Sequence, residues 1–380
     1  MLPSSESSTN HAHHIYDIGK SSVVKSTAIY GANNAGKSNL VDALKSFVAW
    51  IKQGYIHSSV NRQKFRLNKN NQLQPASFAI EFYANGQFLI YGFSLDDTSI
   101  VKEFLYETGF DAPHRIIFEH HEPKKNFHLH NGQSGAEIQA AYEWITKHLI
   151  IRRPKQDIEE FLHELCTNSE FFTFSNKLLG AFDTGIDSLI IEKTERLKFL
   201  SEYDPAGQHP DLLLTPGKIF ITENGRYFTT LENEQIMLNK ISAIHHQVSF
   251  DLIEESHGTQ RLLEFLPVCW AVINQPSTII IDEIDQNIHP VLLIALIRKL
   301  NHSKTKGQLI FTTHESLLLD PDLFRKDEIW FAMKEKETGA TRIYSMNDYI
   351  IENDIDPRKG YLLNRFGAIP FTASLDLLNW

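Results

Sequence analysis

Sulfur and membrane-length apolar runs are what this chain has least of. Its 380 residues include two cysteines, Cys166 and Cys269, each in an apolar run with helical spacing. Two isolated thiols make neither a disulfide framework nor a zinc cluster, and they fit a reducing compartment. No run approaches the roughly 18 apolar residues needed to cross a bilayer. The start, "MLPSSESSTNHAHH", lacks the basic head and apolar centre of a secretion signal. Positive charge is not in excess: 37 basic against 47 acidic side chains give a formal net charge of −10. That argues against a bulk electrostatic hold on nucleic acid. Internal repeats and low-complexity tracts are missing too. What is there, 42% hydrophobic and 22% charged residues, is ordinary globular composition, and the length suggests two or three lobes. The expectation is a soluble, cytoplasmic protein without a membrane partner.

The hydrophobic period changes along the chain. "VVKSTAIYG" reads as a buried strand entering a glycine-rich loop, and "KSNLVDALKSFVAWI" sets Leu40, Leu44, Phe47, Val48 and Ile51 on one helical face. From about Phe78 the period is two. "SFAIEFY", Asn85-Gly86 and "QFLIYGFSL" predict a β-hairpin, which "SIVKEFLYE" and "HRIIFEH" extend into an antiparallel sheet. "AEIQAAYEWITKHLI", "KQDIEEFLHELC" and "EKTERLKFL" have helical spacing, and "KIFITENGRYFTTL" is a second hairpin turning at Asn224-Gly225. Then strand ("QVSFDLI"), helix ("RLLEFLPVCWAVI"), strand ("STIIIDE"), helix ("HPVLLIALIRKL") and strand ("GQLIFTTH") alternate, followed by "DEIWFAMK" and "TRIYSM". Apolar strands alternating with helices at both ends predict an α/β fold with many parallel strands covered on both faces. The expected domains are the first part of the core at 1–75, an antiparallel β subdomain at 76–133, an inserted, mainly helical lobe with a hairpin at 134–246, and the rest of the core at 247–380.

Four short stretches carry chemistry. "GANNAGKS", Gly31 to Ser38, fits G-x-x-x-x-G-K-[ST] between a strand and a helix, the context such a loop needs. Gly31 and Gly36 let backbone N–H groups surround phosphates, with Asn33, Asn34, Ala35 and Asn39 in the same binding set. Lys37 neutralises phosphate charge and the Ser38 hydroxyl can ligate Mg²⁺. "STIIIDEIDQNIHP" delivers Asp282 and Glu283 at a strand end, suited to a Mg²⁺-coordinating aspartate and a water-activating glutamate; alternatively they cap a helix. His314 ends "LIFTTH", where it can meet the last phosphate or serve structure alone. In "EESHGTQRL", Ser256, Gly258 and Thr259 stand at a helix start. Locally, that stretch reads either as a second anion-binding helix start or as a plain N-cap by Ser256 or Thr259.

The order of phosphate loop, inserted lobe, Ser-x-Gly, Asp-Glu and His resembles the ATP-binding-cassette and SMC-like class of ATPase heads. More narrowly, it looks like the AAA15/AAA21 ATPases, relatives of OLD-type and RecF-like proteins, some of which serve abortive-infection phage defence. The matching stretches include "KSTAIYGANNAGKSNLVDAL", "EESHGTQRL", "IIIDEIDQNIHP", "LIFTTHESLLLD" and, as the narrower family mark, "KGYLLNRFGAIPF". The resemblance implies a P-loop NTPase of ABC-head type, with a mixed central sheet, an antiparallel β subdomain and a helical insertion. It implies ATP and Mg²⁺ as cofactors, Gly31–Ser38 as Walker A, Asp282 as the Walker B aspartate, Glu283 as catalytic base and His314 as switch histidine. Ser256 and Gly258 then close on ATP from a second copy, so the partners are the chain itself in a homodimer or larger oligomer and a separate nuclease- or TOPRIM-like effector. Gln63 becomes the glutamine-loop candidate. The chain departs from relatives in starting without their usual first strand, and from the wider class in carrying His289-Pro290 where a D-loop aspartate is expected. The alternatives are a RecF-like DNA-repair ATPase and, further off, a transporter's ATP subunit. "HAHH" at 11–14 and "EHHE" at 119–122 read as surface histidines or metal ligands. Arg152, Arg153, Lys155 and the run Lys193 to Lys198 read as solvated faces or a nucleic-acid strip.

Overall fold

The computed structural model describes residues 1–4, 11–19, 21–56, 67, 71, 74–109, 114–130, 135–153, 158–182, 184–203, 214–222, 225–349 and 356–369. They fall into two compact units. The first comprises Met1–Arg152, Pro276–Ile284 and Ile297–Trp380; the second comprises Arg153–Gln275 and Asp285–Leu296.

The chain opens with an antiparallel pair, β1 (Ile15–Asp17) and β2 (Ser22–Val24), and continues as β3 (Ser26–Tyr30), buried at every position. Helix α1 (Lys37–Gln53) follows the glycine loop and ends at Gly54 in the left-handed region. Next comes the meander β4 (Ala76–Ala84), β5 (Gln87–Leu95), β6 (Ile100–Thr108) and β7 (Arg115–His120). Helix α2 (Ala136–Glu143) and β8 (Leu149–Arg152) complete this stretch. The second unit then supplies α3 (Ile158–Thr167), α4 (Ser169–Ala181), β9 (Ser188–Glu195) and α5 (Arg196–Tyr203). It continues with β10 (Ile219–Thr222), β11 (Gly225–Glu232), β12 (Gln235–His245), β13 (Val248–Asp251) and α6 (His257–Asn274). The chain returns as β14 (Thr278–Ile281), α7 (Pro290–His302), β15 (Gln308–Thr313), β16 (Ile329–Lys334), β17 (Thr341–Ser345) and α8 (Pro357–Leu362).

The central sheet of the first unit has the order β17-β16-β3-β15-β14-β8, with β17 antiparallel and its other neighbours parallel. β3 and β14 read as apolar runs because they sit inside this sheet, flanked on both edges. The meander forms a separate antiparallel sheet in the order β4-β5-β6-β7. Its tight turn uses Asn85 (φ 50°) and Gly86 (φ 83°), the pair of positive φ angles that a two-residue type I′ hairpin requires. The stripe on α1 buries Val41, Phe47, Val48 and Ile51 in one cluster with Leu89, Tyr91 and Phe93 of β5. Phe47 and Phe93 stack with centres 5.3 Å apart. Full burial of one such side chain is worth about 1.5–3 kcal/mol, and this cluster holds the helix that leaves the glycine loop.

The second unit has a five-stranded antiparallel sheet in which β12 pairs with β11, β13 and β9. Phe161 and Leu165 of α3, Phe171 of α4, and Leu263 and Leu266 of α6 share its core. Three sequence expectations change here. "EKTERLKFL" is strand through Glu195 before the helix begins, because Ser188–Glu195 finds a partner in Met237–Ile244. "AEIQAAYEWITKHLI" leaves its helix and ends in β8, drawn into the central sheet by pairing Leu149 with Thr278. The inserted unit therefore starts at Arg153, and it includes α6. Gln63, Lys155 and Asn224 lie outside the described residues.

Candidate functional site

Three neighbouring parallel strands end together. Tyr30, the last residue of β3, pairs with Thr313 of β15, and Ile281 of β14 pairs with Phe311. The glycine loop, Asp282-Glu283 and His314 therefore leave the same carboxyl edge, where ligands of open α/β sheets bind.

The loop is shaped by its two glycines and braced from outside. A Cβ on Gly31 would stand 2.5 Å from the Ala332 carbonyl oxygen of β16, and Gly36 has φ 97° with Thr341 Oγ1 where a Cβ would go. Asn34 also has positive φ, at 69°. Lys334 Nζ donates to Asn34 Oδ1 (2.9 Å) and Thr341 Oγ1 donates to the Ala35 carbonyl (3.0 Å). Asn33, Asn34 and Asn39 are exposed, Ala35 is buried and Ser38 is half-buried at the start of α1. Lys37 is 5% exposed. Its ammonium donates to the Gly31 carbonyl (2.7 Å) and lies 3.0 Å from His314 Nε2. An ammonium approaches imidazole as a donor, so that ring nitrogen presents its lone pair. The loop, the buried cation and the first turn of α1 form one cradle that could hold a phosphate.

Asp282 is 4% exposed and accepts a hydrogen bond from Thr312 Oγ1 at 2.6 Å. The same hydroxyl accepts the Glu283 backbone N–H at 2.8 Å, and the Thr312 carbonyl accepts from Ile284 N–H. Glu283 has φ 50°, a conformation a non-glycine residue adopts only when its surroundings hold it there. Thr312 is that restraint. It went unread in the sequence, where its only signal is that it is the first of two threonines between the apolar run of β15 and His314. Thr341 and Lys334 carry no local signal at all, since they reach the loop from strands at the other end of the chain.

Ser256, Gly258 and Thr259 lie in the second unit. Ser256 caps α6: its Oγ accepts the Thr259 N–H at 3.1 Å and lies 2.9 Å from Thr259 Oγ1. A Cβ on Gly258 would stand 3.2 Å from the Asn287 carbonyl oxygen. The first intrahelical bond runs from Gln260 N–H to the Ser256 carbonyl (2.8 Å). The N–H groups of His257 and Gly258 precede it, so the cap leaves anion-binding donors at this helix start. Ser256 and His257 are exposed. Of the basic strip, Lys193 is paired with Glu232 at 2.7 Å, and Arg152 offers its carbonyl to Asp282 N–H.

A glycine loop between strand and helix, a buried lysine and a strand-end aspartate make this a P-loop nucleotide-binding fold. The match to known families agrees: the chain belongs to the AAA_21 family, described as "AAA domain, putative AbiEii toxin, Type IV TA system", over residues 26–320. No curated protein matches it. Among solved structures it is similar to the SMC head domain from Thermotoga maritima, with 14% identity over 85% of this chain and 92% of that one, at a TM-score of 0.40. An SMC head bound to the C-terminal winged-helix domain of ScpA is 12% identical over 85% and 91%, with a TM-score of 0.47. A head with extended coiled coil, bound to the C-terminal domain of ScpA derived from Pyrococcus furiosus, is 13% identical over 85% and 91%, with a TM-score of 0.38. No helix among the described residues is long and apolar enough to cross a membrane.

Proposed function

We propose that this chain binds and hydrolyses ATP with Mg²⁺, and that two copies close around the nucleotide to drive a separate effector. The observation that carries the reading is the convergence of Lys37, Asp282, Glu283 and His314 at one sheet edge while Ser256 and Gly258 belong to the other unit. The residues present fit the nucleotide. The glycine cradle admits no Cβ at Gly31, and the Lys37 ammonium is buried beside it, against the Gly31 carbonyl and the His314 ring. The oxygen-only donor pair of Ser38 hydroxyl and Asp282 carboxylate suits a hard cation such as Mg²⁺.

In this reading, Lys37 exchanges its contact with His314 for the terminal phosphates, which releases the exposed imidazole to meet the same phosphate. When bound, Mg²⁺ withdraws charge from the transferred phosphoryl group. Asp282, one of whose oxygens Thr312 fixes, would hold that cation with its carboxylate. Glu283, held at positive φ beside Asp282, would take a proton from the attacking water, a role worth about 10²–10⁴ in rate. Ser256 and the free N–H groups of α6 supply the partner copy's half of the site. The family description names a putative toxin of a type IV toxin–antitoxin system, which supports an abortive-infection role in defence against phage, executed by a nuclease- or TOPRIM-like partner. The test is Glu283→Gln: turnover should fall by about two to four decades, while ATP binding persists and the closed dimer accumulates. Wild-type turnover in that variant overturns the assignment.

A further inference from the structure

The histidines at the start of the chain gather into one cluster. A single 3-10 turn, Ala12–His14, is entered at His11 with φ 66°. It brings one ring nitrogen from each of His11, His13 and His14 within 4.8 Å of the others. A fourth imidazole comes from the last turn of α7, where the His302 ring centre is 4.0 Å from that of His13.

Three of these rings are already oriented through one nitrogen. His11 Nε2 bonds the Pro321 carbonyl (2.9 Å) and His302 Nδ1 bonds the Arg298 carbonyl (2.8 Å). A carbonyl accepts only, so each of those nitrogens carries the proton and the opposite nitrogen keeps a lone pair. His14 Nδ1 faces Glu328 Oε2 at 2.8 Å, with both residues buried. The proton in that contact, placed on Nδ1, leaves Nε2 as a ligand. A carboxylate or carbonyl behind an imidazole is the arrangement that orients metal-bound histidines and raises their basicity. All five residues lie in the first unit and none belongs to the nucleotide site.

We propose that His11, His13 and His14 bind a divalent transition-metal ion of the zinc class, with His302 as a nearby fourth imidazole, fastening the N-terminal segment to the first unit. Imidazole ligands select such ions over Mg²⁺, which takes oxygen. Zinc–nitrogen bonds of about 2.0–2.1 Å in a tetrahedron put ligand nitrogens roughly 3.4 Å apart. The rings must therefore draw together by about an ångström, and the exposed His13 has room to move.

The experiment uses the full chain, stripped with chelator and desalted, then titrated with ZnCl₂ and separately CoCl₂ in excess Mg²⁺ without nucleotide. One zinc per chain, the strong visible absorption of tetrahedral cobalt, and a zinc-raised melting temperature are expected. His13→Ala, a surface change, should weaken zinc binding by about tenfold or more and abolish the melting shift. His121→Ala serves as control, because His121 is exposed and paired with Glu119 outside the cluster. Absence of zinc binding to the wild-type chain overturns the proposal. So does binding that survives His13→Ala undiminished, or that falls equally in His121→Ala.

Discussion

The cap that Ser256 makes and the role proposed for it against a partner copy's ATP are separable by two substitutions. Its Oγ accepts the Thr259 N–H at 3.1 Å, so it stabilises α6 as a cap. Ser256→Ala removes that acceptor and should cost about 1 kcal/mol, lowering the melting temperature by about 2–4 °C in a unit of this size. Ser256→Asp keeps an acceptor of equal capping strength and adds a charge the helix start favours. Its stability should stay at the wild-type value or rise slightly. In the proposed closed dimer, the same carboxylate about 4 Å from a partner copy's phosphate, at an effective dielectric near 20, would cost about 4 kcal/mol. That is roughly a thousandfold in closure of the dimer. Differential scanning fluorimetry reads the first effect, and ATP turnover with ATP-dependent sedimentation reads the second. A plain cap predicts the reverse ranking, with Ser256→Ala the damaged variant and Ser256→Asp fully active. A stable Ser256→Asp chain that hydrolyses ATP and dimerises normally would return the stretch to a structural role.

Two further outcomes follow from buried groups. Thr312→Val leaves the Asp282 carboxylate without its 2.6 Å donor and the Glu283 N–H without its acceptor, at a cost of about 1–3 kcal/mol. Turnover should drop with it and be rescued by Thr312→Ser; equal stability and activity in the valine variant would refute the restraint. Burial pushes both cysteine thiols, Cys166 and Cys269, up to about 12. A thiol whose native pKa is raised stays protonated at pH 8, so Ellman's reagent should label neither until the chain is denatured. Rapid stoichiometric labelling of native protein would contradict that burial.

How much of this was legible before the structure depends on the range of each interaction. β3, β14 and β15 announce themselves because burial inside a parallel sheet selects short runs that are apolar on both faces at their centre and carry no charge. The Asn85-Gly86 hairpin is legible because its backbone demand is met by the two residues themselves. β8 and β9 are not, because their strand state is decided by partners far along the chain. Leu149 pairs with Thr278, and Ile190 pairs with Ser242. Their local spacing favours a helix, and sheet pairing overrides it. The division of the chain suffers in the same way. Ser256 reads as part of the last domain from its place between motifs, yet the packing of Leu263 and Leu266 puts α6 in the second unit's core.

The candidate site divides along a different line. Residues that would touch phosphate or cation stand in contiguous motifs, since a strand end can present only the few residues that follow it. The residues holding them in place are dispersed, because they reach the site sideways across the sheet. Asn34, Gly36 and Glu283 all take positive φ, which local preference disfavours for the two that carry side chains. The first two sit in the loop braced by Lys334 and Thr341. Thr312 bonds Glu283 and, through the same hydroxyl, Asp282. The strained backbone and the buried carboxylate therefore depend on a single β15 side chain. A shift of β15 against β14 must disturb both at once, and His314, one residue past the end of β15, moves with it. Under the proposed function, that shared dependence would give the chain a physical route from a phosphate met at His314 to Glu283.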